Sequence, residues 1–124
     1  MSIFTCLLLI CVTASLSLVS ARGGETHVVG GDEGWTQFPN YGDWAQGQTF
    51  HVGDTLLFNY DEDLHSVIQV NETAYEDCIK EPNLAAFSSG NDSFRLAEAS
   101  RQWYICGVGD HCENGQKLSI NVLP

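Results

Sequence analysis

From residue 26 onward the chain alternates apolar and polar positions in short runs, broken by glycine and acidic residues. Residues 26–29 read as a first strand, stopped by Gly30-Gly31. Residues 49–52 and 55–60 follow, parted by the turn Gly53-Asp54. In the second of these, Leu56, Phe58 and Tyr60 share one face and Thr55, Leu57 and Asn59 the other, as period two requires. Asp61-Glu62-Asp63 breaks that strand and residues 66–70 resume it. Residues 93–96, 101–106 and 116–123 complete the set, and in the last Leu118, Ile120 and Val122 alternate with Ser119 and Asn121. Residues 72–77 predict a short helical turn. Residues 81–89 contain Pro82, end in Ser-Ser-Gly and read as loop. Trp35 and Phe38, in a Gly- and Pro-containing loop, are expected to cover one end of the core. Seven or eight short strands with hardly any helix describe an all-β, two-sheet sandwich.

Residues 3–19 break the alternation. They are apolar, Leu-rich and uncharged, and Val19-Ser20-Ala21 follows as a small-residue cleavage site. Residues 1–21 are therefore expected to be a cleaved signal peptide and residues 22–124 the single domain. Thr5, Thr13, Ser15 and Ser17 interrupt the run, which is short for a membrane span, and the chain stops at Asn121-Val122-Leu123-Pro124 without a hydrophobic tail. A secreted, extracellular monomer with no membrane anchor is the expectation. All sixteen acidic and five basic residues follow Ala21, giving a net charge of −11. Such acidity excludes nucleic acid and anionic membranes as partners, both of which need a basic surface. Secretion exposes two sequons, at Asn71 and Asn91, to N-glycosylation.

Removing the leader takes Cys6 and Cys11 with it and leaves Cys78, Cys106 and Cys112, an odd number in an oxidising compartment. Three pairings are open. Cys78 with Cys112 closes a loop of about 34 residues, worth roughly 3–4 kcal/mol in the chain-entropy account, and leaves Cys106 as a thiol beside His111. The stretch Cys106-Gly-Val-Gly-Asp-His111-Cys112-Glu-Asn-Gly-Gln116 puts a thiolate, an imidazole and a weak neutral donor within one loop. His65, where an acidic turn meets a strand, is the candidate for a second imidazole. Two His, one Cys and a distant Met or Gln make a trigonal blue-copper electron-transfer site. His27 and His51 read as ordinary strand residues, His51 at the surface.

These residues resemble the phytocyanins, the plant blue-copper proteins of cupredoxin fold. The resemblance covers nearly all of the chain after the leader. It is carried by Val28-Val29-Gly30, Gly34-Trp35-Thr36, Trp44-Ala45 and the run from Phe50 to Tyr60. Most specific is Tyr104-Ile105-Cys106-Gly107-Val108, followed by His111-Cys112 and Gly115-Gln116-Lys117. Gln116 is similar to the axial residue of the stellacyanin and mavicyanin branch, where other branches carry Met. The resemblance implies a Greek-key cupredoxin sandwich with one disulfide, Cys78–Cys112. It also implies one type 1 copper, with His65, Cys106 and His111 as equatorial ligands and Gln116 as the axial one. Two positions depart from the family pattern. Ser66 stands where Asn commonly ties the ligand loops together, and Gly109-Asp110 stands where Pro often precedes the second His.

The function implied is a secreted one-electron carrier that is not an enzyme. The alternative is a non-redox extracellular copper- or zinc-binding module engaging a cell-wall partner, since zinc also accepts Cys and two His. Cys106 with His111 suggests a nucleophile and base only weakly, because no oxyanion-hole motif accompanies them. Asp61, Glu62, Asp63, Asp110 and Glu113 flank the ligand residues in sequence. If the two loops meet, these carboxylates ring the metal edge and favour a cationic redox partner, a small molecule or a protein.

Overall fold

The alternation folds into two packed sheets. The computed structural model describes residues 24–124; the leader expected over residues 1–21 lies outside them. In chain order the strands are β1 (Thr26–Val28), β2 (Phe50–His51), β3 (Thr55–Asn59), β4 (Val67–Val70), β5 (Ala85–Phe87), β6 (Asn91–Arg95), β7 (Arg101–Ile105) and β8 (Lys117–Leu123). Two one-turn helices interrupt them, α1 (Tyr41–Gln46) and α2 (Glu72–Asp77). One sheet has the order β1-β3-β6 and the other β2-β8-β7-β4-β5. β1 with β3 and β2 with β8 are parallel, and the remaining pairs are antiparallel. The chain changes sheet at every step from β1 to β4 and again on either side of β6, so the core is closed mainly by crossovers rather than by local hairpins.

The inner faces follow period two. Leu56 and Phe58 from one sheet meet Val67, Tyr104, Leu118, Ile120 and Val122 from the other, all buried. Trp35 is fully buried against the edge of Phe58, with ring centroids 5.0 Å apart, and closes the end of this core as expected. Phe38, placed beside it by the sequence reading, is instead 89% exposed. The side chain that completes the closure is Tyr41, on the unanticipated helix α1. Its ring lies 4.8 Å from that of Trp35, and its hydroxyl donates to the Gly34 carbonyl while accepting the Thr36 N–H. The helix is short enough that its start rests on Asn40, whose side chain accepts the Asp43 N–H.

A smaller core lies on the outer face of the five-stranded sheet. There α2 covers Ile68, Val70 and Ile105 through Ala74, alongside Cys112. Helix α2 has the bounds the sequence predicts, capped by Asn71 on the Ala74 N–H. Cys78 ends it in a left-handed conformation, φ 53°, and is bonded to Cys112. The segment read as loop over residues 81–89 contains β5, which adds to β4 in the register Val67↔Phe87. Its Ala-Ala-Phe run has no alternation; pairing with a neighbour makes it a strand.

His27 is not the ordinary strand residue that its surroundings suggest. Parallel pairing of Thr26 with Thr55 sets Asp54 against it, and the His27 Nε2–Asp54 Oδ2 distance is 2.9 Å. The other ring nitrogen meets Gln48 Oε1 at 2.9 Å. His51 is half-buried rather than at the surface, and its amide donates to Asp54. Burial alone raises the Asp54 carboxyl, but the Glu25 amide, the His27 ring and the His51 amide outweigh it and hold it at about 2, from 3.8. A carboxyl lowered on folding stabilises the fold above its unfolded value, and that contribution disappears as pH falls through the folded one. Asp54→Asn should therefore cost about 2 kcal/mol at neutral pH. It should also flatten the acid branch of the stability curve between about pH 4 and pH 2, measured by urea unfolding across pH. An unchanged acid branch would remove Asp54 from this role.

Candidate metal centre

Four of the residues singled out in the sequence meet at one end of the sandwich. Cys106 follows β7 directly and Gln116 directly precedes β8, and they face each other across the ladder with Cys106 N–H donating to the Gln116 carbonyl at 3.0 Å. Alternation puts Cys106 and Tyr104 on the same inner face as Gln116 and Leu118. The loop between them closes on itself, with the Gln116 N–H on the His111 carbonyl at 2.9 Å and the His111 N–H on the Val108 carbonyl at 3.1 Å. His65 enters from the other connection, held by its N–H on the Asp61 carbonyl at 3.0 Å, just ahead of β4.

Their donor atoms converge. His65 Nδ1 and His111 Nδ1 are 3.2 Å apart, and Cys106 Sγ lies 3.6 Å from His111 Nδ1 and 4.0 Å from His65 Nδ1. A point equidistant from the three lies about 2.1 Å from each, within the roughly 2.0–2.3 Å of metal–imidazole and metal–thiolate bonds. Gln116 is fully buried beside them, and neither its amide oxygen nor its amide nitrogen has a hydrogen-bond partner. Burial lowers the basicity of His65, the neighbouring His111 lowers it further, and the nearby Gln116 amide and Asp61 only partly oppose this. A neutral imidazole with a free lone pair is the form that binds a metal. Cys106 is fully buried and stands outside the disulfide. Soft thiolate with two imidazoles suits copper or zinc, and the donor set fits such an ion.

The two donor-bearing segments are tied by side chains whose role the sequence alone did not show. Ser66 Oγ accepts the Gly107 N–H at 3.0 Å, so the serine joins the two loops at the position where the family pattern has Asn. Trp35 Nε1 donates to the Ser66 carbonyl at 2.8 Å, coupling the same point to the core. Gly107 leaves room for the tie: a Cβ there would stand 2.8 Å from Ser66 Oγ and 2.5 Å from Ile68 Cδ1. Gly109 adopts φ +49° in open space, and its carbonyl receives Lys80 Nζ at 2.8 Å. The Cys78–Cys112 disulfide, with Cα atoms 5.8 Å apart, anchors the loop to the end of α2 one residue from His111.

A cavity of about 360 Å³ opens over the two imidazoles, walled by Phe38, Leu64, Thr36 and Gln37. Of the five carboxylates flanking these candidate donors in sequence, Asp61 is the one that lines it; all five are exposed. The apolar wall had no signal in the sequence, because Phe38 and Leu64 belong to separate loops.

A family model described as a plastocyanin-like domain matches residues 35–116. Blue copper protein 1a of Medicago truncatula is 45% identical over 114 residues, covering 90% of this chain and 71% of its own length. Stellacyanin of Toxicodendron vernicifluum is 38% identical over 102 residues, covering 77% of this chain and 94% of its own. Among solved structures, cucumber stellacyanin superposes with a TM-score of 0.74 at 34% identity, over 82% of this chain and 97% of that one. The cucumber basic protein, a blue copper protein, gives 0.72 at 36% identity over 79% and 99%. With the two sheets and the converging donors already in place, the chain belongs to the phytocyanin family, on its stellacyanin-like branch.

Proposed function

We propose that this chain is a blue-copper one-electron carrier, its metal held by His65, Cys106 and His111 with Gln116 as a weaker fourth donor. One observation carries the reading: three donor atoms converge beside a buried amide that has no other partner. Bound copper would supply a one-electron couple between Cu(I) and Cu(II). The chain supplies donors whose positions change little with that charge, because Ser66 joins the two loops, Trp35 holds that joint to the core and the disulfide anchors the Cys106–Gln116 loop to α2. The Cys106 sulfur is fully buried and cannot reach an external electrophile, which supports a carrier over an enzyme. His111 is the more exposed of the two rings and is the route for the electron.

On this reading the protein acts outside the cell, after removal of residues 1–21, and Asn71 and Asn91 are both exposed and open to glycosylation. No helix among the described residues is long and apolar enough to cross a membrane. The redox partner is cationic and contacts the edge formed by Phe38 and Leu64, drawn there by Asp61 and its exposed acidic neighbours.

Adding copper should give an intense visible thiolate-to-Cu(II) band, and Cys106→Ser should abolish it while leaving the far-ultraviolet dichroism intact. A protein that takes up zinc and never turns blue would be the non-redox metal module instead.

The Gln116 amide oxygen is a harder donor than a thioether and stabilises Cu(II). Gln116→Met should therefore raise the reduction potential, read by voltammetry on the two proteins. An equal or lower potential for the Met variant would dismiss the donor explanation.

Electron transfer from a cationic small redox complex should outpace that from an anionic one at low salt. The advantage should shrink as the Debye length falls toward about 8 Å at physiological ionic strength, and Asp61→Asn should reduce it. Stopped-flow rates that do not depend on salt would leave the acidic edge without a role in partner choice.

A further inference from the structure

The chain carries sixteen acidic residues, yet a continuous groove on its surface is lined by none of them. Its larger part, about 540 Å³, lies between α1 and the strands β7 and β8. Gln46, Gln48, Thr49, Ser119 and Asn121 supply neutral donors and acceptors there, beside apolar Ala45 and Leu123. A second part, about 390 Å³, adjoins it at Gly42 and Tyr75, which border both, and adds Asn40, Asn114 and Lys117. Other cavities that touch an arginine also hold a carboxylate, Asp54 beside Arg95 in one and Glu98 beside Arg101 in another.

Two of the four Lys and Arg residues among those described, Arg101 and Lys117, face this groove. Arg101 is exposed and donates to Ser119 Oγ at 3.0 Å, and among the described residues it makes no ion pair. Lys117 Nζ sits 4.5 Å over the Tyr75 ring and donates to the Tyr75 carbonyl at 2.9 Å, which holds the ammonium along the groove wall. A guanidinium with unused N–H groups is a planar fork for a carboxylate. Amides and hydroxyls can both donate to and accept from hydroxyl groups, and the accessible apolar surface of Ala45, Tyr75 and Leu123 suits the C–H face of a ring. An acidic peptide would need a cation for each side chain, and here the neutral groups outnumber the cations.

We infer that this groove binds a short, linear carbohydrate carrying carboxylates, an oligomer of uronic acids. Arg101 takes a carboxylate, Lys117 takes a second one further along, and the amides read the hydroxyls between them. Recognition acts at contact, because the rest of the −11 charge repels a polyanion at longer range. Phe38 borders both the second part of the groove and the cavity over His65 and His111, so a bound oligomer runs toward the metal edge.

The test is a titration of the reduced, copper-loaded protein with a tetramer of 1,4-linked galacturonate, followed by amide chemical shifts. Saturable shifts at Gln46, Tyr75, Ser119 and Asn121 are expected. Arg101→Gln should weaken binding roughly tenfold, the loss of one charge-assisted fork, and Lys117→Gln and Asn121→Ala should each weaken it less. The oxidised variants should keep the visible absorption of the parent, so groove binding and copper binding are scored separately. Absence of saturable shifts, or shifts confined to the His65–His111 edge, would overturn the proposal. So would equal binding of a neutral glucose tetramer or a glutamate tetrapeptide, or undiminished affinity in both Arg101→Gln and Asn121→Ala.

Discussion

Leaving a buried polar group unpaired costs about 1–3 kcal/mol, and Gln116 buries an amide oxygen and an amide nitrogen together with neither paired. A sequence under no other demand would replace it with Leu, the residue type two positions on in the same row. The Cys106 thiol and the His65 and His111 imidazoles converge beside that amide, with Sγ and the two Nδ1 atoms within 4.0 Å of one another. Such a cluster is unfavourable for the protein alone and favourable around a cation. The local architecture follows from holding it together.

Three independent devices do this, and each belongs to a different level of structure. The β7–β8 ladder places Cys106 opposite Gln116 through backbone hydrogen bonds that do not depend on side-chain identity. The Ser66–Gly107 bond joins the His65 loop to the Cys106 loop, and Trp35 ties that joint to the fully buried aromatic core. The disulfide fixes the far side of the loop to α2, beside a small core of its own. Donors braced from three sides resist moving when the metal changes charge, which is the property electron transfer requires.

Charge is distributed by region. The imidazole edge has an apolar wall with one carboxylate, Asp61, in it, while the groove beneath α1 carries cations and amides and no acid. A single net charge of −11 therefore describes neither surface. The hydrogen bond of His27 with Asp54 serves a third purpose, pinning β1 to the turn before β3 from within.

The sequence by itself determined the strand alternation, the inward rows of β3 and β8 and the bounds of α2. It also determined the spacing of Cys106, His111 and Gln116, because each is a local pattern of side chains on one stretch of backbone. Residues 1–21 carry a pattern of the same local kind, over a segment outside the described structure. Only the tertiary structure decided what depends on contact between distant segments. It made β5 a strand by pairing it with β4, exposed Phe38, and brought Tyr41 into the core in its place. It turned His27 from an ordinary strand residue into half of a buried pair, through a parallel register that no local signal encodes. It gave Ser66 the tie expected of a longer amide, because Gly107 lets the two loops approach closely enough for a hydroxyl to reach. Alternation is a property of neighbours in the chain, whereas register and approach distance belong to pairs of segments. That is why the donor types were legible in advance and the groove, the braces and the unpaired amide were not.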